Sequence, residues 1–207
     1  MEHHETLVRP PAIRLSGRDQ IIVLRNIPWE QYDGLCEARK DSAGPRLAYL
    51  DGTLEIMSPA RKHEYEKTLI GRLVETYGEE AGVSLNGFGS ETFRIKAKDA
   101  GVEPDECYCV GAARKVPDFA IEVINTSGDL DKLEIYRRLK VTEVWFWQKA
   151  RFWIYRLGSS RRYALRERSE VLPGLDLVEI AGIVGATDES HQTEAVRAYR
   201  KALRRRG

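Results

Sequence analysis

Short runs in which apolar and polar residues alternate stand between longer segments of helical periodicity in this chain. The clearest alternating pair, RLAYLDGTLEIM, surrounds Asp51 and Gly52, which together can supply the positive φ angles of a tight turn. It predicts a β-hairpin from about Arg46 to Met57. After a Ser-Pro pair, apolar residues recur at helical spacing as far as Gly82, which predicts the first long helix.

The second half of the sequence predicts further strands and one amphipathic helix. One strand-like run, residues 118–124, is apolar almost throughout, which is typical of a strand buried on both faces. DLDKLEIYRRLK predicts a helix, and TEVWFWQ and RFWIYRL predict two further strands. We therefore expect an α/β fold, with a mixed β-sheet that is flanked by helices and preceded by an N-terminal β-hairpin.

A length of 207 residues fits one domain with a sizeable core. The pattern predicts a lead-in segment at residues 1–25, the domain at 26–185 and a basic C-terminal helix at 186–207. The simplest interpretation of that helix is a solvated, fraying end. A tail that contacts phosphate groups is the alternative.

Charge and composition exclude several classes of protein. The net charge is +1 at pH 7, so any binding to nucleic acid must come from a local patch. No run of about 18 apolar residues suggests a membrane span, and the N-terminus lacks the apolar core of a signal peptide, so we expect no membrane partner and a cytoplasmic location. The three cysteines match neither a disulfide framework nor a metal knuckle, and we expect them to be reduced and buried.

One acidic residue stands where the strand pattern calls for an apolar one. Glu122 lies inside the run FAIEVI, and a buried carboxylate must be paired, protonated or bound to a metal. Because Ala120 and Ile124 share its face, a functional site is favoured. The alternative is an edge strand on which Glu122 faces water.

Two Pro-Asp pairs offer a second carboxylate. Asp105 precedes the strand-like CYCV, whereas Asp118 lies four residues before Glu122 and points to the same face by strand alternation. Magnesium takes hard oxygen ligands, commonly one or two carboxylates with water and phosphate oxygens. Either aspartate could therefore complete a site with Glu122, although Pro-Asp pairs are also ordinary turn residues.

Three other residues are candidates for the same site. Lys132, in the first turn of the next helix, could stabilise negative charge on a phosphate or position an attacking water. Glu55 lies on an alternating strand and could face the site or solvent, and His63 could carry protons or be a surface histidine. A solvent-facing helix lysine is the ordinary alternative for Lys132.

Taken together, these strings resemble the Uma-two family of endonucleases, which belongs to the PD-(D/E)XK restriction-endonuclease-like superfamily. The resemblance extends over about residues 26–180. Its distinctive part is the string PDFAIEVINTSGDLDKLEIYRRLKVTEVWFW, preceded by LDGTLEIMSP and EPDECYCV.

The resemblance implies an Mg²⁺- or Mn²⁺-dependent endodeoxyribonuclease with DNA as its partner. By this resemblance, Asp105 would be the motif aspartate, Glu122 the second metal carboxylate and Lys132 the lysine moved from the strand to the adjacent helix. Glu55 would be the acidic residue before the long helix, and His63 the histidine after the turn. The superfamily's usual lysine position, two residues after the glutamate, holds an isoleucine here.

Two rival functions stay open from the sequence. The chain could be a catalytically silent module that binds nucleic acid or protein on the same fold, because a fold does not guarantee an activity. It could also act on another substrate through the same carboxylates. The aromatic strands TEVWFWQ and RFWIYRL are best interpreted as core, with a homodimer interface as the alternative.

Overall fold

The computed structural model describes residues 17–39, 44–126 and 128–206. The strands of these residues are β1 (Gln20–Leu24), β2 (Arg46–Leu50), β3 (Thr53–Ser58), β4 (Leu85–Gly87), β5 (Phe93–Ile95), β6 (Ala100–Val102), β7 (Glu106–Val110), β8 (Phe119–Val123), β9 (Glu143–Gln148), β10 (Arg151–Leu157) and β11 (Tyr163–Arg166). The α-helices are α1 (Trp29–Arg39), α2 (Arg61–Ala81), α3 (Lys132–Leu139), α4 (Leu177–Ala186) and α5 (Gln192–Arg204). The first sixteen residues of the predicted lead-in segment lie outside the described residues.

The predicted N-terminal hairpin forms the middle of the first sheet, whose strand order is β1-β3-β2-β6-β5 with antiparallel neighbours throughout. Between β2 and β3, Asp51 has a φ of 46° and Gly52 a φ of 78°. Two consecutive positive φ angles define the tight hairpin turn that this residue pair favours. Helix α1 packs onto this sheet through Trp29 and Tyr32, which contact residues of the hairpin.

The second sheet has the strand order β11-β10-β9-β8-β7-β4. Strands β8 and β9 are parallel, and the other neighbours are antiparallel. Helix α3 makes the connection between the two parallel strands. All five residues of β8 are buried, which agrees with the nearly continuous apolar run in the sequence.

Helix α3 lies between two sheets. The strands form two separate sheets, whereas we expected one. Ile135 and Tyr136 of α3 pack in one cluster with Ala48 and Phe93 of the first sheet and Ala120 of the second. Hydrophobic periodicity shows which positions are buried, but it does not show which strands pair with each other. The mixed α/β class is confirmed, and the division into two sheets comes from strand pairing.

The other face of the second sheet is covered by α2, α4 and α5. Val196 and Tyr199 of α5 are buried in this core, and Arg200 and Arg204 pair with Glu80 of α2. The C-terminal helix is therefore docked on the domain and is not a fraying end.

The three cysteines are free and buried, as the sequence indicates. None of the helices within the described residues is both long enough and apolar enough to cross a membrane.

Candidate functional site

Two fully buried carboxylates belong to neighbouring strands of the second sheet. Glu122 lies in β8, and Asp105 directly precedes β7; each has 0% of its surface exposed. Strands β7 and β8 are antiparallel, with Glu106 opposite Ile121, so the next position along this register sets Asp105 opposite Glu122. Opposed residues in antiparallel strands point to the same face. The fold thus sets two acidic side chains side by side inside the protein.

Asp105 is surrounded by hydrogen-bond donors. Its Oδ1 accepts from Nε of Arg46 and Nε2 of His63, each at 2.9 Å, and its Oδ2 accepts from the backbone N–H of Val123 at 2.7 Å. Burial raises the pKa of Asp105, but the hydrogen bond from His63 and the charges of His63, Lys132 and Arg46 outweigh it and hold the pKa well below its usual range. Asp105 is therefore ionised.

His63, at the start of α2, bridges two aspartates. Its side chain is fully buried, with Nδ1 3.1 Å from Oδ2 of Asp19 and Nε2 2.9 Å from Oδ1 of Asp105. Burial lowers the pKa of His63, yet the hydrogen bonds to Asp105 and Asp19 prevail and raise it to about 9. The raised pKa favours the protonated imidazole in the metal-free protein, in which both nitrogens donate. Because its side chain is fully buried, His63 is not a surface histidine.

Glu122 is held by two residues of α3. Lys132 donates from Nζ to Oε2 of Glu122 at 2.6 Å, and the hydroxyl of Tyr136 donates to Oε1. Burial raises the pKa of Glu122, and the negative charge of Asp105 adds to this effect, so that the pKa stays raised although Lys132 opposes it. Burial also disfavours the charge on Lys132, but the charges of Glu122, Asp105 and Glu55 raise its pKa. The ammonium therefore lies within electrostatic reach of three carboxylates.

Glu55 of β3 faces this group and not the solvent, with only 3% of its surface exposed. Among the described residues its Oε2 has no hydrogen-bond partner, and the same is true of the hydroxyl of Thr126. The backbone of Gly128 comes so close that a Cβ there would lie 1.9 Å from Oε2 of Glu55. An unsatisfied buried carboxylate oxygen is costly, and it marks a place where a ligand could be bound.

A cavity of about 480 Å³ opens beside these residues. Glu55, Lys132 and Asp19 contribute its polar wall, and aromatic side chains of β9 and β10 form another part. Lys132 thus lines the cavity and also contacts the buried Glu122. It connects the open space with the carboxylates behind it.

Asp118, the other candidate aspartate, makes different contacts. Its Oδ2 accepts from the backbone N–H of Val110 at 2.7 Å and from the guanidinium of Arg114. These are bonds within the turn that joins β7 to β8. The structure therefore brings Asp105, Glu122 and Lys132 together and gives Asp118 a local structural role.

Sequence reasoning missed three residues that contact the site. Tyr136 lies four residues after Lys132 on α3, so helical spacing could have indicated that both reach Glu122. Arg46 and Asp19 offered no such signal, because they contact Asp105 and His63 only through tertiary folding, over separations of 59 and 44 residues.

The sequence model of the Uma2 family, described as "Putative restriction endonuclease", matches residues 29–186, about three quarters of the chain. The chain belongs to the Uma2 family. This confirms the resemblance that the motifs indicated. Among curated proteins, none matches the chain.

A solved structure similar to this Uma2 chain is described as that of a putative nuclease belonging to DUF820 from Anabaena variabilis. The two are 14% identical with a TM-score of 0.44, and the match covers 73% of this chain and 92% of the other.

The donor atoms of this Uma2 domain fit a hard divalent cation in type. Asp105 and Glu122 are carboxylates whose oxygens keep lone pairs beyond their present hydrogen bonds, and Glu55 adds an oxygen without a partner. Within the described ranges, no group of three or more His, Cys, Asp or Glu side chains is arranged to hold a metal. Magnesium needs only one or two carboxylates, since water and phosphate oxygens complete its octahedron.

Proposed function

We propose that this protein is a divalent-metal-dependent nuclease that hydrolyses phosphodiester bonds, with DNA as its substrate and Mg²⁺ or Mn²⁺ as its cofactor. The observation that supports this most is the contact of 2.6 Å between Lys132, which lines an open cavity, and the buried Glu122 behind it. A charged lysine beside buried carboxylates combines a group that can stabilise phosphate charge with groups that can hold a cation. Membership of the Uma2 family supports the same class of reaction.

Asp105 and Glu122 would hold the metal. When bound, the cation would polarise the scissile phosphate and lower the pKa of a water molecule. Lys132 has three N–H donors and gives one to Glu122. Among the described residues its other N–H groups have no hydrogen-bond acceptor, so they could donate to a phosphate oxygen in the cavity, where the ammonium would stabilise the negative charge that develops in the transition state.

His63 and Tyr136 position the two carboxylates through hydrogen bonds. His63 is bonded to Oδ1 of Asp105 at 2.9 Å and would fix the orientation of that carboxylate. Tyr136 fixes Glu122 in the same way. Glu55, whose Oε2 has no hydrogen-bond partner within the described part of the chain, is the remaining candidate to bind a water or the cation.

Cleavage of supercoiled plasmid DNA by the purified protein tests this function. With Mg²⁺ or Mn²⁺ the plasmid should be nicked, and a chelator should abolish nicking. Glu122→Gln keeps size and hydrogen bonding but removes the charge, so it should lower the rate by several orders of magnitude. The matched control is Glu30→Gln, because Glu30 pairs with Lys96 at 2.9 Å on the surface and should not affect the rate.

Two results would contradict the proposal. Nicking that persists in Glu122→Gln would place the activity elsewhere or in a contaminant. An absence of both cleavage of DNA or RNA and metal binding would favour a silent binding module on this fold.

A further inference from the structure

Aromatic side chains of β9 and β10 fall into two sets on opposite faces of the second sheet. Trp145, Trp147 and Phe152 are buried in the core under α2, α4 and α5. The alternate set, Phe146, Trp153 and Tyr155, is only partly buried and lines the cavity. Large aromatic surfaces that face open space are available for a ligand.

Strand register sets this second set beside the carboxylate site. Glu122 of β8 is paired with Phe146 of β9, and Phe146 is paired with Trp153 of β10. Paired residues of neighbouring strands share one face of the sheet. Carboxylate and rings therefore lie in one row, which begins at the proposed metal ligand and extends across two strands.

The remaining cavity wall suits a flat, partly apolar group. Leu130, Leu133 and Met57 add apolar surface, while Lys132 supplies a cation at the end near Glu122. A volume of about 480 Å³ is within the range of small-molecule sites. A base that remains paired and stacked in a duplex cannot enter such a concave space, whereas an unpaired base can.

Arg151 lies beside Trp153, two residues earlier on β10. Its guanidinium carbon lies 4.4 Å from the ring centroid of Trp153, and the residue is exposed. Proteins that bind single-stranded nucleic acid combine aromatic rings, on which bases stack, with cationic groups that pair with phosphates.

We propose that Phe146, Trp153 and Tyr155 bind an unpaired nucleobase next to the phosphate that Lys132 contacts, so that the substrate is single-stranded or locally unpaired nucleic acid. The inference rests on the proposed nuclease function and names the form of nucleic acid that this site takes. Every base can stack on an aromatic ring, so these three side chains should distinguish unpaired from paired bases but should show little preference for base sequence.

Binding of labelled oligonucleotides to the 207-residue protein tests the inference. The binding is measured by fluorescence anisotropy, with a chelator present to prevent cleavage. A labelled single-stranded oligothymidylate should bind at least about tenfold tighter than a duplex of equal length, and tighter than an abasic strand with the same phosphates. Trp153→Ala should weaken binding of the base-containing strand about 5- to 150-fold, the loss expected for one stacked base, and should leave the abasic strand unaffected.

Trp153→Phe keeps a ring and should retain most of the affinity, which guards against a folding defect in the alanine variant. Val178→Ala, at an exposed residue of α4, is the control and should bind as the unaltered protein does.

Equal affinity for the abasic and base-containing strands, or unchanged binding by Trp153→Ala, would overturn the inference. Cleavage without a single-strand preference would overturn it and leave the nuclease function standing. Ring-dependent binding without cleavage would support the base site and count against the nuclease.

Discussion

The ammonium of Lys132 lies 2.6 Å from Oε2 of Glu122, although the two residues belong to different elements, α3 and β8. Side-chain exposures of 15% and 1% show that water screens this pair only slightly. Its two charges therefore depend on each other for both stability and chemistry.

Lys132→Met should destabilise the protein, because it leaves the buried Glu122 without its counter-charge. Removal of one partner of a buried pair costs about 3–5 kcal/mol, and urea unfolding at pH 8 would measure the loss. The pKa of Glu122 is raised in the folded protein, so protonation of this carboxyl stabilises the folded state. That contribution is present at low pH and is lost as pH rises through the folded pKa. The defect should thus shrink at pH 5. The double variant with Glu122→Gln should recover much of the stability; a simple sum of the two single losses would contradict the coupling.

The stability of the metal-free protein should depend on the protonation of His63. Because the folded pKa of about 9 exceeds the usual 6.5, the imidazolium's contribution is fully present below pH 6.5 and is lost as pH rises through 9. That contribution is at most about 3 kcal/mol. Urea unfolding of His63→Gln across this window should show a flatter pH profile. His191→Gln is the matched control, since His191 pairs with Asp188 on the surface; equal profiles for both variants would refute the role of His63.

Metal binding should stabilise the folded protein through Asp105 and Glu122. Free Mn²⁺ at 100 times its Kd should raise the free energy of unfolding by about 2.7 kcal/mol, and a chelator should reverse the gain. Asp105→Asn and Glu122→Gln should each abolish it. Asp118→Asn serves as the control, because Asp118 bonds to Val110 and Arg114 away from the site. Loss of the Mn²⁺ effect in Asp118→Asn alone would assign the metal to the other aspartate.

Gly128→Ala should disturb the loop over Glu55. An added Cβ would lie 1.9 Å from Oε2 of Glu55, so the carboxylate at the end of that side chain must shift toward the adjoining cavity. A shift of this kind costs about 0.5–1.5 kcal/mol in thermal or urea unfolding. Gly34→Ala is the same chemical change in the middle of α1, where no atom of the residues that the structure describes would lie within 4 Å of the added Cβ. It should stabilise the protein by about 0.5–1 kcal/mol, because alanine favours a helix. Similar effects of the two substitutions would show that the approach to Glu55 is not tight.

Much of the local structure could be predicted. The hairpin around Asp51 and Gly52, the long helix α2 and the fully buried strand β8 follow from turn chemistry and periodicity. Strand β1 was missed because its alternation at an exposed edge is short. The docking of α5 was missed as well, since the many arginines of that helix suggested solvent, and pairing with Glu80 of α2 satisfies two of them.

The sequence by itself determined the α/β class, the family, and the abnormal position of Glu122 inside an apolar strand, because these depend on residue types at short spacing. Only the tertiary structure decided that two sheets enclose α3, that His63 is buried between Asp19 and Asp105, and that Phe146 and Trp153 continue the row from Glu122. Those relationships join residues far apart in the chain. Their formation depends on strand pairing and on the burial of opposite charges together, and neither leaves a periodic signal in the sequence.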